Sequence, residues 1–372
     1  MSGIRTNWIV VGAGFAGAAT AWALTRAGLG PGVILEQEPT VGAHASGRNA
    51  ALVKLSESDV VIAALARRTL DLVRSLESSG DRLMNPTGGV TLAGEATAHK
   101  LEALHHVLLR SGVSSRLLSY ERARRELPLL ENIDFRVALR CAEEGVADIH
   151  ALLGRYLEAV REAGSRLQTR TRAEELLLEG GRAVGVRTDH NEEMRATTVI
   201  DASGAWAGRL GREAAPLPLT PLRRHLFVSA PLDFVHPGLP FAWIEEAPLY
   251  FRPEGDGLLL SPCDETAAAP GTPAIDPAAA ELLAEKLARY APPLADLAIR
   301  RRWACLRTFA PDRRPVIGHD SAIPGLFHES ALGGFGMMCS AAIGEAAAAL
   351  LQGRSVGWMD VSAVAPGRLG GA

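Results

Sequence analysis

Cysteine is scarce and scattered: Cys141, Cys263, Cys305 and Cys339 form no C-x-x-C pair anywhere in 372 residues. That removes dithiol redox motifs and zinc knuckles from consideration. No secretory leader is recognisable, so reduced thiols and a cytoplasmic location are expected. Metal-ligand spacing is missing as well. His105 and His106 are adjacent on an expected helix and point roughly 100° apart, too far to share an ion. No G-x-S-x-G elbow is present, which removes the usual anchor of a hydrolase. Neither sign of charge dominates, with 39 basic against 42 acidic residues and a formal net charge of −3. Nothing in that balance suits nucleic acid or an acidic lipid surface. Lysine stands only at positions 54, 100 and 286, so the cationic chemistry of this chain is arginine chemistry. The one long run of apolar and small residues, 8–24, is Gly- and Ala-rich and leads into another strand pattern. No membrane-spanning segment is expected.

That run is the most informative segment of the chain. Val10-Val11-Gly12-Ala13-Gly14-Phe15-Ala16-Gly17 joins an apolar strand beginning at Trp8 to a helix over 15–27. A second strand, Val33-Ile34-Leu35, closes on Glu36 nineteen residues after the last glycine. Gly12 permits the tight turn, Gly14 lets backbone approach a pyrophosphate, and Gly17 allows close helix–strand packing. The helix N-terminus presents unpaired N–H groups to phosphate. Glu36 suits two ribose hydroxyls and repels a 2′-phosphate, so an adenine dinucleotide is expected and NADP is disfavoured.

Farther along, 42–51 is a small-residue loop carrying one arginine, and 59–78 reads as helix. Gly88 to Ala93 reads as a strand, and 97–127 as one or two amphipathic helices. Asp148 is a candidate N-cap for a helix running from Ile149 to about Ala163. Two strands flank the Gly180-Gly181 turn, and Val199 to Trp206 is a strand ending in a small-residue turn. Between Pro216 and Arg302 the texture becomes Pro-rich with short β runs, among them Leu249 to Arg252 and Gly257 to Ser261, and one helix from about Pro277 to Tyr290. After 303 the chain returns to small-residue turns, then Leu332-Gly333-Gly334-Phe335-Gly336-Met337 and an Ala-rich helix to about Leu351.

Together these landmarks resemble the FAD-dependent D-amino-acid oxidase superfamily, which includes glycine oxidase, sarcosine oxidase and D-amino-acid dehydrogenases. The resemblance covers the chain from Ile9 to about Leu351. It is carried by the N-terminal fingerprint, Ala45-Ser46-Gly47-Arg48-Asn49-Ala50-Ala51, Gly145-Val146-Ala147-Asp148, and the Gly333 to Gly336 loop. Within the superfamily the chain is most similar to bacterial D-arginine dehydrogenases, through Trp303 to Arg307, Pro221 to Phe227, Tyr250 before Arg252-Pro253, and Ser340 to Ala346. The resemblance implies an α/β plus α+β fold: a Rossmann-type FAD-binding domain with an inserted, mostly antiparallel substrate domain. The FAD-binding domain would comprise 1–84, 142–215 and 303–362, the substrate domain 85–141 and 216–302, and 363–372 a loose tail.

Carried onto this chain, the resemblance places the ADP half of FAD at Gly12, Gly14, Gly17, Glu36 and Gln37, with Ala173 near adenine. Ser46, Arg48, Asn49 and Ala50 would meet the pyrophosphate and the isoalloxazine edge, joined by Gly204, Trp206 and Gly333, Gly334, Phe335, Gly336 and Met337. The glycine loop precedes a helix whose N-terminus suits the negative charge of reduced flavin. Arg224 and Arg307 match the arginines that fork onto a substrate carboxylate, and Tyr250 matches a tyrosine of the same pocket. A planar guanidinium is the natural bidentate receptor for a carboxylate.

The implied reaction is oxidative deamination of a small amino acid, a D-amino acid, by hydride transfer from Cα to flavin N5. The imino acid formed then hydrolyses to a 2-oxo acid, with oxygen or a quinone as electron acceptor. Alternatives are oxidation of a secondary or cyclic amine such as sarcosine, proline or hydroxyproline, a 2-hydroxy-acid dehydrogenase, and a non-catalytic flavoprotein subunit. Cys305 falls near the position where sarcosine oxidases attach flavin, but a small buried thiol and non-covalent FAD are expected. Lys54 is expected to be a solvated loop residue. Where arginine dehydrogenases carry polar groups, this chain has Leu52, Gly88 and Leu332, so a less polar side chain than arginine is expected.

Overall fold

The computed structural model describes residues 4–77, 82–213 and 215–370. The last residue of the helix expected over 59–78 and the last two of the expected tail lie outside them. Two large sheets organise the chain. The first has eight strands. Its centre is parallel, running Leu326–Ser330, Glu193–Asp201, Ile4–Val11, Val33–Leu35 and Arg166–Gln168. The Ala173–Glu179/Arg182–Thr188 hairpin and Val316–His319 add antiparallel strands. Residues Trp8 to Val10 and Val33 to Leu35 are almost fully buried, as parallel strands covered on both faces must be.

Helices Phe15–Arg26, Ile149–Glu162 and Ser340–Leu351 pack together beside this sheet. Small residues make the approach possible. A Cβ on Gly17 would lie 1.9 Å from the Gly12 carbonyl oxygen, and one on Gly344 would lie 2.4 Å from that of Ala19. The first is a helix-to-turn contact and the second a helix-to-helix contact. Asp148 caps its helix as expected, accepting from the amides of His150 and Ala151 at 3.1 and 2.9 Å.

The second sheet has nine strands and is antiparallel except where Phe241–Ile244 runs parallel to Gly89–Ala93. Period-two alternation gives it two different faces. Phe227, Phe251, Leu258 and Leu260 belong to a core shared with Leu283 and Leu287 of helix Ala278–Tyr290. Leu226, Tyr250, Leu259 and Cys305 belong to a separate cluster with Ala50 of the 45–51 loop. This second cluster brings the sheet against the nucleotide-type fold.

Three expectations are corrected. Residues 303–309, expected with the first domain, complete the strand Ile299–Phe309, which pairs along its length with Thr220–Ser229 in the second sheet. Only its second half is buried, and the solvated Arg300-Arg301-Arg302 start masks the strand pattern. Strand Ser115–Ser119 interrupts the helical stretch expected over 97–127. It follows helix Ala98–Arg110 after Gly112 at φ +74°, and five residues are too few to display a period. The expected loose tail starts out anchored. Val364 is fully buried, its carbonyl accepts from Ile317 N at 2.8 Å, and Arg368 forks onto Asp312 at 2.7 and 3.0 Å.

Candidate active site

A cavity of about 800 Å³ lies where the C-terminal ends of the parallel strands meet the inner face of the second sheet. It is large enough for an extended cofactor and a small substrate. At one end the local sequence dictates the wall. Gly12 sits at φ +105°, where an L side chain is strained, and its Cβ would lie 2.5 Å from the Ala202 carbonyl oxygen. Gly14 is the helix N-cap and brings no side chain to it, while Phe15 N donates to Ser46 Oγ at 2.9 Å. Glu36 accepts from Ala13 N through one oxygen and from Glu38 N through the other, each at 2.9 Å. Both oxygens keep accepting capacity toward the cavity.

Most expected cofactor positions line this one cavity: Gly12, Gly14, Glu36, Gln37, Ser46, Asn49, Ala50, Ala173, Gly204, Trp206, and Gly333 to Met337. Two do not. Gly17 stands behind the turn, where it serves packing alone. Arg48 turns away, its Nε donating to Ala43 O at 2.9 Å, and it lines a different cavity. Asn49 holds the loop by donating to Ser46 O and accepting from Ala51 N, both at 2.7 Å. The Met337-Met338 layer lies between the cavity and the final helix, whose first residue, Ser340, is fully buried.

The other end is built from side chains of several strands. In the Thr220–Ser229/Ile299–Phe309 pair, Arg224 faces Cys305 and Leu222 faces Arg307. Arg224 and Arg307 are therefore diagonal neighbours on one face. Beyond the intervening strand Gly257–Ser261, Tyr250 of strand Leu249–Glu254 faces Trp243 of Phe241–Ile244, their rings stacked at 5.5 Å.

The two arginines differ in pairing. Arg224 donates to Glu265 at 2.8 Å, and Arg313 holds the same carboxylate at 2.6 Å. Arg307 is 6% exposed, and its only protein acceptor among the described residues is the Leu306 carbonyl at 3.2 Å. A buried guanidinium without a carboxylate is costly unless an anion from outside completes it. Burial, together with Cys263, pushes the Tyr250 phenol up to about 12 against the opposing pull of Arg224 and Arg307. It is a neutral donor at ordinary pH.

Lys54 corrects the expectation of a solvated residue. It is buried in the cavity wall, donates to Ser56 O and to Glu57 at 3.1 Å, and sits 5.2 Å from the Trp243 ring centre. Burial pulls its ammonium down, but Glu57, Glu144 and Glu245 outweigh that and hold it above its ordinary range. Gly88 is also misplaced by the sequence reading. It is not among the cavity-lining residues, and a Cβ there would meet the Arg140 guanidinium at 1.7 Å. Leu52 and Leu332 do line the cavity. Trp243, Cys263 and Glu265 were missed, since only strand pairing brings them here. Cys305 is 1% exposed and lies beneath the wall, its Sγ 3.7 Å from Arg224 O.

Residues 7–350 match the family model of the DAO FAD-dependent oxidoreductases. The chain belongs to that family. FAD is therefore its cofactor, and the glycine turn, Glu36 and the long cavity fit that molecule. Among curated proteins, the chain is 27% identical over 191 residues to the Pseudomonas aeruginosa hydrogen cyanide synthase subunit HcnC, covering 51% of this chain and 45% of that one. It is 26% identical to the Bacillus subtilis oxidoreductase YurR, over 94% of this chain and 95% of the relative. The match thus spans less than half of HcnC and nearly all of YurR. Among solved structures, the L-proline dehydrogenase of P. horikoshii superposes with a TM-score of 0.87 at 20% identity, covering 98% of each chain. At that identity the likeness is one of fold.

Proposed function

We propose that this flavoenzyme oxidises a small amino acid, a D-amino acid without selectivity for arginine, to an imino acid that hydrolyses to a 2-oxo acid. The observation that carries the reading is Arg307: a buried guanidinium with no carboxylate partner among the described residues, lining the cavity that the glycine turn and Glu36 also line. Bound FAD supplies a two-electron acceptor for the substrate C–H bond. The protein's part is binding and orientation. Arg307 takes the substrate carboxylate bidentately, and the Tyr250 hydroxyl donates to it. Arg224 adds positive potential from behind its pair with Glu265. Trp243, Leu52 and Leu332 exclude water from the side-chain end.

Proton loss from the substrate amine goes to solvent, because the nearby carboxylates Glu57 and Glu265 are engaged by Lys54 and by Arg224 and Arg313. Non-covalent FAD is part of the proposal, since Cys305 lies under the wall. Oxygen or a quinone serves as acceptor. A secondary-amine substrate is the second reading. It is supported by a 23% identity over 91% of this chain with mouse sarcosine dehydrogenase and by the L-proline dehydrogenase fold match.

Anaerobic mixing of the FAD-loaded protein with D- and L-amino acids, sarcosine, proline and 2-hydroxy acids, watching flavin absorbance, tests this reading. Bleaching by D-amino acids with short or apolar side chains ahead of D-arginine is expected. Bleaching by hydroxy acids alone would overturn it, and so would no bleaching by any amine.

A further inference from the structure

Lys54, Arg224, Arg307 and Arg313 line the end of the cavity where the second sheet stands, and three of them are already paired. Lys54 holds Glu57 at 3.1 Å. Arg313 forks onto the two oxygens of Glu265 at 2.6 and 3.1 Å, and Arg224 Nη2 shares the nearer one at 2.8 Å. Arg307 has no carboxylate among the described residues. The Arg224 side chain is 13% exposed against 52% for Arg313. Solvent therefore screens Arg313, and Glu265 matters chiefly as the counter-charge of Arg224. A ligand entering this end meets one unpaired guanidinium, with its diagonal neighbour neutralised.

The chain around Glu265 is fastened in place. On strand Thr220–Ser229, Arg224 and His225 point to opposite faces, and the 264–276 segment is tied on both. His225 is fully buried. Its amide and Nδ1 hold the two Asp264 oxygens at 2.8 and 2.7 Å, and its Nε2 accepts from Asp276 N at 2.9 Å. A backbone N–H only donates, so the imidazole is neutral with its proton on Nδ1. One ring thus clips both ends of the segment. On the other face, the Asp264 carbonyl accepts from Arg224 Nε at 2.9 Å. That contact delivers Glu265, the next residue, to Nη2 of the same guanidinium.

We infer that Glu265 is a specificity-determining residue: by neutralising Arg224 it restricts the enzyme to amines that carry a single carboxylate. The inference rests on the role proposed for Arg307. D-Amino acids with uncharged side chains are then the substrate class. D-Aspartate and D-glutamate are rejected, because a second carboxylate loses its water, finds no free cation, and meets the charge of Glu265. Were Glu265 present only to orient Arg224, its removal would weaken mono- and dicarboxylates alike.

Titration of the FAD-loaded wild type and Glu265→Gln with benzoate and with isophthalate, following the flavin spectrum, tests this. Isophthalate is benzoate with a second carboxylate, and neither is oxidised. Glu265 is exposed, so the substitution spares the core. The wild type is expected to bind isophthalate at least about 10-fold more weakly than benzoate. Glu265→Gln should bind isophthalate at least about 10-fold more tightly than the wild type does, with benzoate affinity changed by less than about 3-fold. The double variant R224A/E265Q should lose that gain. Wild-type benzoate binding with equal affinity for isophthalate would overturn the inference and leave Arg307 standing. No gain in Glu265→Gln, parallel weakening of both ligands, or a gain that survives in the double variant would do the same. No benzoate binding by the wild type would overturn the Arg307 reading and this inference with it.

Discussion

The two ends of the main cavity are built by opposite means. At the nucleotide end, backbone makes the site: a turn at Gly12, a bare helix N-cap at Gly14, and one acid at the tip of the next strand, all within 25 consecutive residues. At the other end, side chains line it: Arg224, Trp243, Tyr250 and Arg307 come from four strands of another sheet, spaced along 84 residues. The first kind tolerates no added Cβ and depends on local geometry. The second depends on which side chains stand at those positions, so substitutions there are expected to change what is bound.

Gly12 is the position where a single methyl group should do most damage. Gly12→Ala places a side chain at φ +105°, 2.5 Å from a carbonyl oxygen, and strain of about 1–3 kcal/mol is added to the clash. The variant should purify without FAD, read as loss of the 450 nm band. Retention of the band at wild-type ratio would mean that the turn is not what holds the nucleotide.

At the other end, Arg307→Ala should keep its yellow colour and lose about 30- to 1000-fold in kcat/KM for carboxylate-bearing amines, corresponding to about 2–4 kcal/mol. Arg307→Lys should recover only part, since an ammonium cannot reproduce the fork. Arg224→Ala should cost less, about 10-fold, because Glu265 already engages that guanidinium. A larger loss at Arg224 than at Arg307 would reverse the assignment of the principal receptor.

Glu329 probes the layer beneath the nucleotide end through stability and leaves activity unchanged. Its side chain is buried, one oxygen meets the Thr20 hydroxyl, and the other has no partner among the described residues. Burial lifts its carboxyl to about 8. A raised folded-state value for an acid means that the native state holds the proton more tightly. Its stabilisation is complete below the unfolded value of 4.5 and is lost as pH rises through about 8. Stability should therefore decline between pH 5 and 8, read as a falling melting temperature, and Glu329→Gln should flatten the slope. An unchanged slope in the variant would assign the pH dependence elsewhere.

The nucleotide end was legible because each constraint there is local: spacing fixes which residues share a turn, and Gly12 and Glu36 lie where the pattern placed them. Arg224, Tyr250 and Arg307 were reached through family resemblance, and the strand register then put them on one face. Lys54, Trp243 and Glu265 were illegible because pairing over long separations decides whether such residues face solvent or cavity. Arg48 shows the limit of carrying a role across. The residue type and loop match, yet its guanidinium is held by the Ala43 carbonyl and the residue lines a different cavity. Gly88 shows the same, its space filled by Arg140.

Arg307 is proposed as the carboxylate receptor of this flavoenzyme. The most direct measurement is titration of the FAD-loaded wild type and Arg307→Ala with a non-reactive carboxylate, benzoate, following the shift of the flavin spectrum. Saturable binding to the wild type and at least about 30-fold weaker binding to the variant are expected, with FAD content equal in both. Equal benzoate affinity in the two proteins would contradict it.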